Sequence, residues 1–303
     1  MFDVLCLSDC CCDMIFSGLR RIPAPGTEEY CEQLYCKAGG GANTAMGLAK
    51  LGCNTAYATM IGDDIPGRLI MDDLAAAGVN SAYISCPEGA RTWVSAVLST
   101  GDERAFASFA GRGVAYTARE LQTMVGSARW VHTYYYYCER FPELARLCRK
   151  AGVPFSVDSS FTEGQNLVDI RPVLEQAELF TPNDAEACAL TGKAQAEKAL
   201  GQLAGVCRNV VVTMGKRGCI ASLEGRRYTV LPPEVRAVDA NGAGDLFNAG
   251  FLAARLAGRD AETQLRWAAA SGALAVTYAG GMDESYTKEK VAELTNRVII
   301  EKL

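Results

Sequence analysis

An α/β fold, with a mainly parallel sheet covered by helices on both faces, is the architecture this sequence predicts. Three observations carry it: short apolar runs rich in strand formers recur along the chain, helical patterns lie between them, and several of those patterns close on a glycine. Strand and helix therefore alternate for most of the length, which is how a parallel sheet with crossover helices is built. Residues 2–7 open the series of apolar runs, followed by 55–61, 130–137, 154–157, 179–181 and 210–213. The helical patterns fall at 43–51, 65–77, 141–151, 184–191 and 194–204, with Gly52 and Gly78 placed to cap the first two. In such a sheet ligands collect beyond the carboxyl ends of the strands.

Two segments break the rhythm. Residues 13–37 and 91–111 alternate polar and apolar positions and carry turn signals, Pro23-Ala24-Pro25-Gly26 in the first and Gly101-Asp102 in the second. They are expected to pair as a small separate sheet lying as a lid over the first glycine-rich element, where it could exclude water. Two unrelated surface hairpins are the alternative. No internal repeat, low-complexity tract or linker divides the chain, so residues 1–303 are expected to form one domain with the lid inserted in it.

Composition narrows the function. The chain has 303 residues, 30 Lys and Arg against 35 Asp and Glu, and a formal net charge of −5. A general binder of nucleic acid or anionic membrane needs a net basic surface, and no stretch approaches the ~20 uninterrupted apolar residues of a membrane span, so neither partner is expected. The 13 cysteines are odd in number, include no C-x-x-C pair and follow no positively charged leader, which points to reduced thiols in a cytoplasmic protein. His132 is the only histidine, which leaves a histidine-based triad or metal site little to build on.

The most informative stretch is Val238-Asp239-Ala240-Asn241-Gly242-Ala243-Gly244-Asp245, followed by apolar and small residues to Ala257. It reads as a loop entering a helix. A Gly-Ala-Gly turn there leaves several backbone N–H groups unpaired and uncovered, and with the helix dipole they make an anion site, for which phosphate is the natural guest. Asp245 is a poor ligand for phosphate but a suitable base for a hydroxyl attacking a phosphoryl group. Its structural alternative is an acidic residue favouring the positive end of a helix.

A second cluster, Gly39-Gly40-Gly41-Ala42-Asn43, opens the helical pattern at 43–51. It does not complete a dinucleotide fingerprint, because G-x-G-x-x-G counted from Gly39 meets Thr44 at its last position, and no G-x-x-x-x-G-K-[ST] occurs. Glycines let a ligand approach the backbone closely, and Asn43 offers a donor and an acceptor to a hydroxyl-rich compound. Upstream, Ser8-Asp9-Cys10-Cys11-Cys12-Asp13 supplies two carboxylates, each able to accept from neighbouring sugar hydroxyls.

In combination these residues resemble the ribokinase, or PfkB, family of carbohydrate kinases over nearly the whole chain. The matching elements, in order, are Asp9-x-x-x-Asp13, Ala38-Gly39-Gly40-Gly41-Ala42-Asn43, Ile61-Gly62-Asp63-Asp64 with Gly67, Thr181-Pro182-Asn183-Asp184-Ala185-Glu186, Val212-Thr213-Met214-Gly215 with Gly218, and Asp239-Ala240-Asn241-Gly242-Ala243-Gly244-Asp245. The resemblance implies a ribokinase-like three-layer α/β/α domain with a small β-sheet lid. It implies that Asp245 is the catalytic base and that the N–H groups of Gly242, Ala243 and Gly244 hold the transferred phosphoryl group. Asp13, Gly39, Gly40 and Asn43 would bind the sugar, and Thr213, Gly215 and Gly218 the nucleotide. Asn183 and Glu186 would act on magnesium and the phosphates. ATP and Mg²⁺ are the implied cofactors, with a monovalent cation such as K⁺ near Asp239 and Asn241. A homodimer through the lid is also implied. The family's usual threonine pair before Gly-Ala-Gly-Asp is here Ala240-Asn241, and the first glycine of its N-terminal pair is Ala38.

In the resembled family the sugar-phosphate members tend to lack an acidic pattern such as Asp9-x-x-x-Asp13, so the resemblance implies an uncharged sugar of the ribose or fructose type, or a nucleoside, over a sugar phosphate. A phosphate or acid group would need cations, for which Arg20, Arg21, Lys37, Arg91, Arg104 and Arg112 are the candidates. Arg91 and Arg104 keep a keto-deoxy sugar acid in play. Tyr134 to Tyr137 could stack on a ring, although packing is the simpler role and alternate residues of a strand face opposite ways. A dinucleotide-dependent oxidoreductase lacks its fingerprint, and a non-catalytic sugar sensor would be expected to lose Asp245.

Overall fold

Successive side chains leave a strand on opposite faces, so each buried strand feeds two cores. In β1 (Val4–Leu7), Val4 and Cys6 enter one core while Leu5 and Leu7 enter the other. The computed structural model describes residues 1–100, 103–111, 113, 115–136, 141–159, 166–278 and 282–302. The Gly101-Asp102 turn, Arg112, Tyr137 and Cys138 lie outside the described residues.

The central sheet has ten strands. Across it the order is β14 (Ile299–Lys302), β13 (Arg226–Leu231), β12 (Cys219–Leu223), β11 (Val210–Thr213), β10 (Leu179–Thr181), β9 (Phe155–Asp158), β8 (Val131–Tyr134), β1, β4 (Thr55–Met60) and β5 (Asn80–Ser85). From β11 to β5 all neighbours are parallel, while β11 through β14 pair antiparallel. This antiparallel edge adds to the expected alternation. Its β12–β13 hairpin turns on Glu224 and Gly225, both at positive φ (52° and 77°), the twist-matched two-residue connection.

Helices α1 (Ala42–Lys50), α2 (Ile65–Ala76), α8 (Ala243–Leu256), α9 (Ala261–Ala275) and α10 (Lys288–Thr295) cover one face. The other is covered by α3 (Ala118–Gly126), α4 (Glu143–Ala151), α5 (Leu167–Leu174), α6 (Asp184–Thr191) and α7 (Ala196–Leu203). The result is the expected three-layer α/β/α architecture. The apolar run at 130–137 ends as a strand at Tyr134, because Tyr135 and Tyr136 take helical backbone.

Four further strands form a separate small sheet in the order β3 (Gln33–Gly40), β2 (Cys10–Ser17), β6 (Trp93–Ser99) and β7 (Arg104–Phe109). The two irregular segments thus combine, the first with wider bounds than the expected 13–37 and the second within the expected 91–111. Pairing of Cys10 with Gly40 carries β2 and β3 down to the start of α1, so Asp13 lies within a strand and Gly39 and Gly40 end one. Register places Asp13, Lys37, Ser95 and Ser108 on one face of this sheet.

Helix α1 crosses α8 closely at Gly47. A Cβ added there would lie 2.5 Å from Leu246 Cδ2 and 2.9 Å from Ala249 Cβ. Since α1 carries Asn43 and α8 carries Asp245, this contact sets the spacing of both residues. Gly47→Val is expected to cost about 1–3 kcal/mol through overpacking, read as a lower urea midpoint at unchanged slope. An unchanged midpoint would mean that the helices part there without cost.

Candidate active site

Gly242 has φ +70°, a left-handed conformation that turns the loop into α8. No side chain caps this helix, and of its first N–H groups that of Ala243 donates to Ala240 O at 3.4 Å. A Cβ on Gly244 would meet nothing within 4 Å, so the chain itself does not require glycine there. Asp245 follows in the first helical turn. Its Oδ1 accepts from Tyr134 Oη at 2.5 Å and from Thr44 Oγ1 at 3.2 Å, and its Oδ2 accepts from Asn43 Nδ2 at 3.4 Å. Burial pushes its carboxyl up to about 6, with the Asp13 carboxylate adding to the rise and the three hydrogen bonds opposing it. A carboxylate so placed can take a proton from an alcohol while the neighbouring amides hold an anion.

Asp13 stands on the opposite side of the cleft. Its Oδ1 accepts from Cys11 Sγ at 3.1 Å and its Oδ2 from Asn241 Nδ2 at 3.3 Å. Burial raises this carboxyl above its ordinary range, offset in part by those two bonds. Gly39 is required here, because a Cβ would fall 2.1 Å from Asp13 Oδ2. Gly40 has φ +61° and brings Gly41 N to 3.2 Å from Asp9 O. The loop before α8 is also gripped by the small sheet: Arg104 of β7 pairs with Asp239 Oδ1, which accepts from Asn241 N at 3.0 Å as well. Asn241, which replaces a threonine of the resembled family, thus bridges the Asp13 side to the Gly242 turn.

Asn183, Glu186 and Thr213 form a second group. Asn183 caps α6: its Oδ1 accepts from Glu186 N and its N–H donates to Glu186 Oε2, both at 2.9 Å. The Asn-x-x-Glu spacing is thereby a capping box. Thr213 ends β11 and bridges to Asn183. Gly215 and Gly218 flank the turn Gly215–Arg217 at φ +57° and +84°, and a Cβ on Gly218 would lie 1.9 Å from Val230 O. Asp158 links the two groups. It accepts from Asn248 Nδ2 at 2.8 Å, and burial together with the Asp245 and Glu186 carboxylates holds its carboxyl well above the ordinary range.

Thr44 and Asp158 were not singled out in the sequence, and Tyr134 only as one of a run that could stack on a ring. Tyr134 and Asp158 end β8 and β9, and that position at the carboxyl edge of a parallel sheet is the signal that could have found them. Packing is the role of Tyr135, which is fully buried, but not of Tyr134. His132 is a core residue, its Nδ1 2.8 Å from Ser156 Oγ and its pKa lowered to about 3 by burial. The described cysteines are unpaired thiols, and among the described residues no three His, Cys, Asp or Glu gather to hold a metal. No described helix is long and apolar enough to cross a membrane. A cavity of about 330 Å³ lined by Tyr83, Tyr116, Arg119 and Glu120 lies at the edge strand β5 and contains none of these groups.

With this geometry in hand, comparison with known proteins places the chain. The family model described as pfkB family carbohydrate kinase matches residues 1–288. A ribokinase of Haemophilus influenzae is 26% identical over 266 residues, covering 84% of this chain and 86% of its own. The structure of an Arabidopsis thaliana ribokinase complexed with ribose and ATP superposes with TM-score 0.85 at 24% identity, covering 97% of this chain and 98% of that one. A ribokinase II from E. coli, described as putative and in complex with ATP and Mg²⁺, gives TM-score 0.84 at 21% identity, covering 98% and 100%. At these identities the structural likenesses establish the fold.

The raised pKa of Asp245 carries a stability consequence. A carboxyl whose folded pKa lies above its unfolded value stabilises the protein fully below the unfolded value, and that contribution is lost as pH rises through about 6. At pH 8 the ionised group is a cost, so Asp245→Asn is expected to melt a few degrees higher than the parent, with the gap closing toward pH 5. That corresponds to about 1 kcal/mol, discounted for the side of the group that faces the cleft. Equal melting temperatures at both pH values would contradict the raised pKa.

Proposed function

The chain belongs to the pfkB family of carbohydrate kinases, and from that membership and the cleft geometry we propose that it transfers the γ-phosphoryl group of ATP to a hydroxyl of an uncharged sugar, with Asp245 as general base. The observation that carries this reading is an ionisable carboxylate in the first turn of a helix without a side-chain cap, hydrogen-bonded by Asn43 and near enough to Asp13 for the two charges to interact. Asp245 takes the proton of the acceptor hydroxyl. The oxygen then bonds to the γ-phosphorus as the bond to the bridging oxygen breaks and ADP departs. The N–H groups of Gly242, Ala243 and Gly244 donate to the oxygens of the group in transit, and their place in a preformed helix start means they need little reorganisation. Asp13 and Asn43 orient the sugar, while Gly39 and Gly40 let it approach the backbone.

ATP fits the uncapped start of α8 and the open space beside Gly244. Thr213, Gly215 and Gly218 line the nucleotide side. Magnesium needs only one or two carboxylates beside phosphates and water, a role that Glu186, braced by Asn183, fits with Asp158 nearby. When bound it offsets the charge of the phosphates. Asp239 is taken up by Arg104, so a monovalent cation at this loop would share that carboxylate with a guanidinium.

An uncharged acceptor is supported by what the candidate cations do. Lys37 Nζ donates to Met282 O at 2.7 Å, Arg104 pairs with Asp239, Arg91 lies 3.6 Å from Asp64, and Arg21 pairs with Glu29. A sugar acid would have to displace these partners. We read the small sheet as a lid and as the contact of a homodimer, since Leu34, Phe106 and Phe109 are exposed on it and its outer strands β3 and β7 have open edges. The unpaired exposed thiols of Cys36 and Cys86 suit a cytoplasmic protein.

ATP turnover against ribose, fructose, nucleosides and keto-deoxy sugar acids tests the reading. The highest kcat/KM is expected for a neutral sugar, with a loss of about 10²-fold or more in kcat for Asp245→Asn. Asp13→Ala is expected to raise the sugar KM by about tenfold or more with little change in the KM of ATP, the scale of one hydrogen bond to a charged group. Full turnover by Asp245→Asn would refute the base, and preference for the acid would refute the substrate class.

A further inference from the structure

We propose that Tyr134 is a positioning residue for the base: its phenol fixes Asp245 Oδ1 and leaves Oδ2 as the oxygen that receives the substrate proton. This rests on the reading of Asp245 as the base. Five observations support it. Tyr134 is the last residue of β8, so its side chain stands at the carboxyl edge of the sheet. Its ring packs edge-on to His132 with centroids 5.4 Å apart, and the glycine at 41 keeps its other side clear, since a Cβ there would approach Tyr134 Cε2 to 3.2 Å. The phenol Oη lies 2.5 Å from Oδ1, within the range of a hydroxyl donating to a carboxylate. Thr44 Oγ1 has one proton to divide among Tyr134 Oη at 3.1 Å, Asp245 Oδ1 at 3.2 Å and Asp245 O at 3.3 Å, which leaves the phenol as the steady donor to Oδ1. Among the described residues Oδ2 is touched by Asn43 alone, at 3.4 Å.

The direction of donation is fixed. Burial, with the Asp245 and Asp158 carboxylates nearby, holds the phenol well above its ordinary range, so it keeps its proton and can donate it in a hydrogen bond. Donation to the ionised carboxylate lowers the pKa of Asp245 against the burial that raises it. The other titratable groups facing the pair are Asp13 from β2, Cys6 from β1, Asp158 from β9 and His132 from β8 itself. All four are unchanged by Tyr134→Phe, which keeps the ring and removes only the hydroxyl.

The test is the carboxyl ¹³C titration of the aspartate-labelled protein without ligands, the Asp245 signal being assigned by its loss in Asp245→Asn. The parent midpoint is expected at about 6. In Tyr134→Phe it is expected about one pH unit higher, the size of one lost charge-assisted hydrogen bond. The acid limb of kcat with D-ribose or D-fructose is expected to move by the same amount, the sugar KM changing less than kcat at pH 6. An unmoved midpoint in a Tyr134→Phe protein of parental melting temperature would overturn the proposal whatever becomes of the base. A moved midpoint with Asp245→Asn still turning over would support the tuning and remove the base reading beneath it.

Discussion

The structure turns on one constraint: a carboxylate must stay ionisable in a cleft that disfavours charge. Burial pushes Asp245 up, and the hydrogen bonds from Tyr134, Thr44 and Asn43 pull it back. The balance falls near neutrality, where a carboxylate is ionised for most of the time yet basic enough to hold a proton briefly. The donors come from α1 and β8 and the carboxylate from α8, three elements far apart in sequence, so the fold must hold them in register before the group can be tuned at all.

The sheet supplies that register. Its parallel strands bring Tyr134, Asp158 and Thr213 to one edge, where Tyr134 reaches Asp245 in the first turn of α8. The small sheet closes the other side through Asp13, Lys37 and Arg104, each joined to the loops around α8 or preceding α10. The small sheet and the helix start thus meet at Asn241, whose side-chain amide donates to Asp13 and whose backbone leads directly into Gly242. A change in the small sheet would be felt at the helix start through this short path.

Features set by local chemistry were legible in the sequence. The Gly-Ala-Gly turn, Asp245 after it, the crossover alternation and the glycine run at Gly39 all depend on a few adjacent residues. What was not legible depends on distant ones. Tyr134 meets Asp245 across 111 residues, and its partner choice follows from where β8 stops rather than from its own neighbours. The run at 130–137 looked like one strand because apolarity persists beyond Tyr134, whereas the backbone turns helical at Tyr135. The β12–β13 hairpin had a local signal, the Glu224-Gly225 turn, but sits at the end of an otherwise parallel pattern that masks it. Asn183 and Glu186 show the converse, since the spacing read as a ligand motif is also that of a helix cap, which the structure shows.

The central claim is that Asp245 faces a sugar hydroxyl while the helix start holds the phosphate. A crystal structure with magnesium, a non-hydrolysable ATP analogue and the preferred sugar tests it most directly. The account predicts one sugar hydroxyl within hydrogen-bond reach of Asp245 Oδ2 and the terminal phosphate against the N–H groups of Gly242 to Gly244. A sugar bound away from Asp245, or a phosphate seated elsewhere with those N–H groups turned from it, would contradict the account.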